Sequence, residues 1–218
     1  MIGSGLVGAA EAPSEAPSDV PEVSGDWYRD VVEFADANPE PVQWFMGHFT
    51  EASIILLGLL FLLAAWPRLG GGPRDRALAL VTPVAVVLAY GCSEGLKVLV
   101  DQDRPCRALT DLAIVAEQCP PVGDWSFPSN HSTIAGALAT AVVLLHRRIG
   151  WYAAVPLAAL AAFSRVYVGV HYPHDVVAGV LLGTLVVAVV APLLARPVSE
   201  VLRRRSRRAE DPIPVDRH

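Results

Sequence analysis

The chain has 218 residues, of which 53% are hydrophobic and only 18% are charged, and its mean hydropathy is +0.41. Soluble domains carry about 25% charged residues, so this composition indicates a single membrane-embedded domain and excludes collagen-like, coiled-coil and disulfide-scaffold chains. A net charge of −5 and a pI of about 5.6 argue against a nucleic-acid partner, which would require a surplus of basic side chains.

The N-terminal region is acidic and carries little apolar patterning. Residues 1–25 are rich in Ala, Pro, Glu and Ser, which predicts a disordered acidic tail and not a signal peptide. Within residues 26–37, Trp27, Phe34 and Ala35 recur at helical spacing together with Val31. This spacing predicts a short amphipathic helix at the membrane interface, although a loosely ordered linker fits the same residues.

Five apolar segments follow, with approximate bounds 42–66, 77–100, 132–145, 149–164 and 176–195. A helix that spans a bilayer needs about 20 apolar residues, so the third and fourth segments reach across only with their polar ends included. We predict an all-α integral membrane bundle of about five transmembrane helices plus the short N-terminal helix. The predicted regions are residues 1–40 for the tail and amphipathic helix, 41–197 for the membrane-embedded domain and 198–218 for a basic cytoplasmic tail.

Basic side chains are distributed unevenly among the connecting segments. Of the 17 lysines and arginines, 12 lie in residues 67–76, in residues 146–148 or after residue 195. With five spans these three regions share one face, which the positive-inside rule assigns to the cytoplasm. The pattern therefore predicts a cytoplasmic C-terminus, with the N-terminus and the 101–130 segment on the outer side.

The three cysteines fit this predicted topology. Cys106 and Cys119 lie in the outer 101–130 segment, where an oxidising compartment permits a disulfide between them. The alternative is a pair of free thiols that the loop never brings together. Cys92 lies within the second predicted span, where we expect it to be buried as a small apolar residue.

Three clusters of polar residues lie at the predicted outer ends of the spans. Lys97 and Arg104 are close to the end of the second span, and a Pro-Ser-Asn-His sequence at residues 128–131 precedes the third. The third cluster, in residues 164–175, separates the last two spans. Charged groups near membrane depth are costly and are usually functional. Three such clusters on one face predict a polar site at the outer membrane–water boundary.

The residue types in these clusters suit phosphoryl transfer. Lys97, Arg104 and Arg165 offer three cations to the oxygens of a phosphate group. Ser129 and Asn130 stand where a helix begins, so that free backbone N–H groups can bind an anion there.

Two histidines and a carboxylate complete the set. His171 and Asp175 are four residues apart, so the carboxylate can accept a hydrogen bond from one ring nitrogen and orient the other as a nucleophile. His131 can donate a proton to the leaving oxygen as a general acid. We expect neither a metal nor another cofactor, because the set is complete without one and carboxylates suited to magnesium are scarce among these residues.

These residues resemble the three motifs of the type 2 phosphatidic acid phosphatase family, K-x6-RP, PSGH and SR-x5-H-x3-D. The chain reads Lys97-x6-Arg104-Pro105, Pro128-Ser129-Asn130-His131 and Ser164-Arg165-x5-His171-x3-Asp175. The resemblance covers roughly residues 50–195. It implies a helical bundle, a phosphohistidine intermediate on His171, an acid role for His131 and phosphate binding by Lys97, Arg104, Ser129, Asn130 and Arg165.

The second motif departs from the family pattern at Asn130, where glycine is usual. An asparagine can still donate its backbone N–H, and its side chain would add an amide at the phosphate. A polar residue here resembles the bacterial undecaprenyl pyrophosphate phosphatase branch. The expected reaction is hydrolysis of a polyprenyl pyrophosphate to the monophosphate at the outer face of the cytoplasmic membrane, with the oligomeric state left open.

Other interpretations of the same residues remain open. The motifs bind only a phosphate, so phosphatidic acid, phosphatidylglycerophosphate, a polyprenyl-linked sugar phosphate or a soluble phosphoester also fits. A non-catalytic transporter or lipid-binding protein would use the same cations, although binding alone does not require two histidines. His174 is a second candidate nucleophile, but as a neighbour of Asp175 it would not face that carboxylate on a helix. Asp101, Asp103 and Glu94 fit structural ion partners.

Overall fold

The computed structural model describes residues 17–210, with side chains up to residue 207, so most of the predicted acidic tail lies outside the described residues. No strand occurs between residues 17 and 210, which confirms the all-α prediction. A five-residue π-helical segment, Gly150–Ala154, joins α6 to α7. The helices are α1 (Glu22–Asp36), α2 (Glu40–Leu69), α3 (Pro73–Val100), α4 (Pro105–Ala108), α5 (Asn130–Leu145), α6 (Arg147–Ile149), α7 (Val155–Tyr167) and α8 (Pro173–Glu210).

All five predicted apolar segments are helical. Four stretches are long and apolar enough to cross a membrane: Glu40–Leu69, Pro73–Ala108, Arg147–Tyr167 and Pro173–Arg207. With 16 residues α5 is shorter, and most of its residues are buried within the bundle. Helix α8 continues past residue 197, through the arginine-rich segment, to residue 210.

Helix α5 is central to the bundle, and it packs against α2, α3, α7 and α8. The helices α2, α3, α5, α7 and α8 alternate in direction along the chain. One end of the bundle, which we call the site end, therefore gathers the start of α2, the end of α3, the start of α5, the end of α7 and the start of α8. The arginine-rich turns lie at the opposite end.

Helices α5 and α8 approach each other so closely that only glycine fits at the contact. A Cβ atom at Gly183 would lie 2.0 Å from the carbonyl oxygen of Thr133, and one at Gly179 would lie 2.5 Å from that of Ser129. The two glycines are one helical turn apart, which is the small-xxx-small pattern that allows close packing of membrane helices. This contact fixes the start of α5 against the start of α8.

The long connection between α3 and α5 lies at the site end. Within it the sulfur atoms of Cys106 and Cys119 are bonded, with their Cα atoms 5.9 Å apart. Cys92 is exposed, so its predicted burial is wrong. The reason is that Cys92 lies on a face of α3 that no other helix between residues 17 and 210 covers.

Helix α1 begins at Glu22, earlier than predicted. Of the residues at helical spacing, Ala35 is buried, whereas Trp27 and Phe34 are exposed. Tyr28 is buried as well, and its hydroxyl donates a hydrogen bond to the carbonyl oxygen of Gly169 at 2.9 Å. Helix α1 is thereby attached to the turn between α7 and α8.

The close contact of α5 and α8 is testable with one methyl group. We predict that Gly183→Ala destabilises the purified protein, because the added Cβ must push α5 away, at a cost of about 1–3 kcal/mol for overpacking. The thermal unfolding midpoint in detergent measures the effect. Gly91→Ala on α3 is the matched control, since no atom lies within 4 Å of its added Cβ. Equal unfolding midpoints for the two variants would contradict the packing account.

Candidate active site

The side chain of His171 is buried in the turn between α7 and α8. Its Nδ1 lies 3.4 Å from Oδ2 of Asp175, and its Nε2 lies 3.1 Å from Nη1 of Arg104. Because a guanidinium can only donate, Nε2 is the acceptor, and the ring proton is on Nδ1, facing the carboxylate. One nitrogen is thus oriented by an acid, while the other presents its lone pair to the cations of the site.

The surroundings of His171 keep the ring neutral. Burial, followed by the positive charges of Arg104, Arg165 and Lys97, lowers the pKa of His171 well below its ordinary value. The imidazole is therefore unprotonated at neutral pH, which is the state that a nitrogen nucleophile requires.

Asp175 connects two of the three predicted clusters. Its buried carboxylate accepts hydrogen bonds from the Ser126 hydroxyl and from the Tyr172 backbone N–H, the latter at 2.8 Å. Its backbone carbonyl accepts a hydrogen bond from the Ser129 N–H at 3.1 Å. The same residue therefore holds both the turn that carries His171 and the residue that caps the start of α5.

Two cations near the end of α3 share a carboxylate. Oδ1 of Asp124 lies 2.7 Å from Nζ of Lys97 and 3.0 Å from Nη2 of Arg104. Burial raises the pKa of the Asp124 carboxyl, but hydrogen bonds and charge attraction from Lys97 and Arg104 outweigh it and hold the pKa below its ordinary value. Both cations are nearly buried, whereas 42% of the Asp124 side chain is exposed. An ionised carboxylate thus occupies the cation pair expected to bind phosphate.

The third predicted cation, Arg165, is paired in a similar way. Its Nη1 lies 3.2 Å from Oε1 of Glu51 and donates a hydrogen bond to the Thr50 hydroxyl at 3.0 Å. The other oxygen of Glu51, Oε2, lies 3.1 Å from Nε2 of His131. A carboxylate of α2 therefore links the predicted general acid to a predicted phosphate ligand.

The start of α5 has the predicted cap. The Ser129 hydroxyl accepts a hydrogen bond from the Ser132 N–H at 3.4 Å. Asn130 directs its side chain toward α3, because its Oδ1 accepts a hydrogen bond from the Ser93 hydroxyl at 2.7 Å and its amide donates to Glu94. The Asn130 amide is thus engaged away from the cations, whereas the backbone N–H groups of Asn130 and His131, at the start of the helix, have no partner within it.

The prediction that the alternative nucleophile, His174, would not face the Asp175 carboxylate is wrong, since its Nε2 lies 3.2 Å from Oδ1 of Asp175. His174 differs from His171 in its other neighbours. Its Nδ1 lies 2.7 Å from the hydroxyl oxygen of Ser24 on α1, and its Nε2 lies 3.1 Å from the side-chain amide of Gln102. Its ring packs on Tyr172, with ring centroids 5.6 Å apart. His171 is therefore the histidine of this pair that contacts a cation of the site.

Sequence reasoning missed Glu51, Asp124 and Ser126. A signal existed for each, since Glu51 directly precedes an apolar run and the other two lie just before the second motif.

Asp101 ends α3 in a left-handed conformation, with φ of 43°, and Asp103 pairs with a neighbouring arginine. Within the described range no group of three or more His, Cys, Asp or Glu side chains is arranged to hold a metal ion.

A cavity of about 570 Å³ opens beside Arg165 and Glu51. It lies between the start of α2 and residues 115–120. Among the described residues that line the cavity, Arg165 is the only lysine or arginine. The other polar side chains that line it are Glu40, Gln43, His48, Thr50, Glu117 and Gln118.

The carboxylate of Asp124 competes with any anion for Lys97 and Arg104. We predict that Asp124→Asn tightens the binding of inorganic vanadate by about 5-fold, which corresponds to about 1 kcal/mol. Calorimetric titration of the purified protein measures it. Asp103→Asn is the control, because its exposed carboxylate pairs with Arg107 instead. Weaker vanadate binding in Asp124→Asn would show that the carboxylate organises the two cations and does not compete for them.

Comparison with known proteins identifies the family of this chain. Residues 78–197 match the PAP2 superfamily. Over 158 residues the chain is 34% identical to undecaprenyl-diphosphatase BcrC of Bacillus subtilis (strain 168), which covers 72% of this chain and 75% of that protein. Over 147 residues it is 35% identical to decaprenylphosphoryl-5-phosphoribose phosphatase of Mycobacterium tuberculosis (strain ATCC 25618 / H37Rv), covering 66% and 75%.

The fold has a solved counterpart. The crystal structure of Aquifex aeolicus LpxE superposes with a TM-score of 0.61 at 23% identity, and the match covers 80% of this chain and 98% of that one. The helical fold is therefore shared well beyond the three motifs. Given the family match over more than half of its length, this chain belongs to the PAP2 superfamily and is an integral membrane lipid phosphatase.

Proposed function

We propose that the chain hydrolyses a polyprenyl pyrophosphate, undecaprenyl pyrophosphate in particular, to the monophosphate through a phosphohistidine on His171. The observation that carries the reaction type is the unequal environment of the two His171 nitrogens, one facing Asp175 and the other facing Arg104. The similarity to undecaprenyl-diphosphatase BcrC supports the choice of substrate.

In the first step, Nε2 of His171 attacks the terminal phosphorus in line with the leaving oxygen. The N–P bond forms as the bond from phosphorus to the lipid monophosphate breaks, and Asp175 stabilises the ring as it becomes cationic. Lys97, Arg104 and Arg165 neutralise the phosphoryl oxygens together with the N–H groups at the start of α5. Fixed charges of this kind supply most of the catalysis in phosphoryl transfer.

His131 moves the proton in both steps. It first donates a proton to the leaving oxygen of the lipid monophosphate. A water molecule then attacks the phosphorus of the phosphohistidine, and His131 takes up the proton of that water as the N–P bond breaks. Inorganic phosphate is released, His171 returns to its neutral state, and no step requires a metal ion.

The proposed site faces the outer side of the cytoplasmic membrane, and residues 198–218 are cytoplasmic. This orientation is supported by the arginines that cluster at the end of the bundle opposite His171, in residues 67–76, 147–148 and 196–207. Such clusters mark the cytoplasmic side. The head group of the substrate then enters between helix ends in residues 41–197, while its chain remains in the lipid.

A polyprenyl-linked sugar phosphate is a second candidate substrate. The cavity adjoins the proposed site, because Arg165 and Glu51 line it. Its lining is rich in amides and carboxylates and carries one guanidinium, which favours sugar hydroxyls over a second phosphate. The relative that acts on decaprenylphosphoryl-5-phosphoribose supports this candidate.

Phosphate release from purified protein in detergent tests the proposed function. We expect turnover of undecaprenyl pyrophosphate in excess EDTA and a loss of at least about 100-fold in His171→Ala, because the nucleophile is removed. His146→Ala is the control, since His146 lies at the opposite end of the bundle. Full activity of His171→Ala would contradict the nucleophile, and activity lost in EDTA but restored by magnesium would contradict the metal-free reaction.

A comparison of kcat/KM on three substrates distinguishes between the candidate substrates. The same preparation is offered undecaprenyl pyrophosphate, a polyprenylphosphoryl-ribose 5-phosphate and phosphatidic acid. We expect the highest kcat/KM on the pyrophosphate. A preference for the ribose phosphate would favour the second candidate, and a preference for phosphatidic acid would contradict both.

A further inference from the structure

Glu51 is a carboxylate at an unfavourable place in α2. It directly precedes the apolar run of residues 52–66, and it lies outside residues 78–197, which match the family. Ionisable groups in membrane-spanning helices are costly, so they are usually paired and functional. Glu51 is paired in this way, because each of its two carboxylate oxygens contacts a basic side chain.

The two partners of Glu51 belong to different helices. Oε2 lies 3.1 Å from Nε2 of His131 on α5, and Oε1 lies 3.2 Å from Nη1 of Arg165 on α7. One carboxylate therefore sets the position of the imidazole relative to the guanidinium.

The contact to His131 mirrors the contact to His171. Each ring directs one nitrogen to a carboxylate, Nδ1 of His171 to Asp175 and Nε2 of His131 to Glu51. With Nε2 committed to Glu51, Nδ1 is the nitrogen of His131 that can meet the leaving oxygen. Carboxylate–histidine pairs of this kind fix both the orientation of the ring and the nitrogen that carries the proton.

We propose that Glu51 is a positioning residue of the phosphatase reaction, which holds the His131 ring through Nε2–H so that Nδ1–H serves the leaving oxygen. The proposal rests on the acid role of His131 in the proposed function. As the P–O bond breaks, the proton on Nδ1 passes to the leaving oxygen, while Nε2–H remains hydrogen-bonded to Glu51. When water later attacks the phosphohistidine, Nδ1 takes up a proton from that water.

Charge complements the geometry at His131. The cations that act on its ring are Arg165 from α7 and Arg104 from the segment after α3, and neutral His171 lies in the same site. Burial disfavours a protonated ring most, and these cations add to that effect, whereas the Glu51 carboxylate favours the protonated ring. Glu51 thus supports the protonated state that a general acid needs among otherwise repulsive neighbours.

The dependence of kcat on the leaving group distinguishes a positioning role of Glu51 from a purely structural one. We expect Glu51→Gln to lower kcat on phenyl phosphate by about 30-fold, which is less than the full contribution of a general acid because His131 itself remains, but to lower kcat on p-nitrophenyl phosphate by less than about 3-fold. The second leaving group is stable as an anion and needs little protonation. The alkaline limb of the kcat profile is expected to move to lower pH by about one unit.

Two variants complete the experiment. Glu51→Asp keeps the charge and should retain the wild-type pH limb. Glu200→Gln is the matched control, because Glu200 also bridges two basic side chains, Arg203 and Arg204, at the opposite end of the bundle. Equal losses on both substrates with an unmoved pH limb would overturn the proposal. Inactive wild-type protein, by contrast, would contradict the proposed function itself.

Discussion

The close approach of α5 and α8 is the constraint on which the site depends. Glycine at positions 179 and 183 leaves room for the carbonyl oxygens of α5 where any other side chain would collide. At this distance the Ser129 N–H reaches the backbone carbonyl of Asp175, whose carboxylate faces His171. The start of α5, which is proposed to bind the phosphate, and the proposed nucleophile beside α8 are therefore held together by a single interface.

Charge balance is the second physical requirement of this site. Buried cations near a membrane are costly without anions, and the protein supplies two of its own, Asp124 for Lys97 and Arg104 and Glu51 for Arg165. Both carboxylates are far more exposed than the cations that they neutralise. An entering phosphate can thus replace Asp124 at Lys97 and Arg104, while the Asp124 carboxylate turns toward water. The cations of the site are therefore already held in position before a substrate binds.

Local patterns in the sequence predicted most of this architecture, and long-range contacts account for the rest. Apolar runs and motif spacings are local patterns formed by residues that are close in the sequence. The five helices and the three motif clusters could therefore be located without a structure. The partners of Glu51 lie 80 and 114 positions away along the chain, and the partner of Tyr28 lies 141 positions away. Composition also cannot tell which face of α3 is covered, which is why the burial of Cys92 was predicted wrongly.

The central claim is that His171 receives the phosphoryl group, and trapping that intermediate tests it most directly. Turnover of undecaprenyl pyrophosphate would be quenched in alkali, where phosphohistidine survives, and the phosphorylated peptide mapped by mass spectrometry. The account predicts phosphate on Nε2 of His171, accumulating in His131→Ala because water attack lacks its base while the phosphate leaving group departs readily. Phosphate on another side chain, or steady turnover by His131→Ala without any phosphorylated protein, would contradict it.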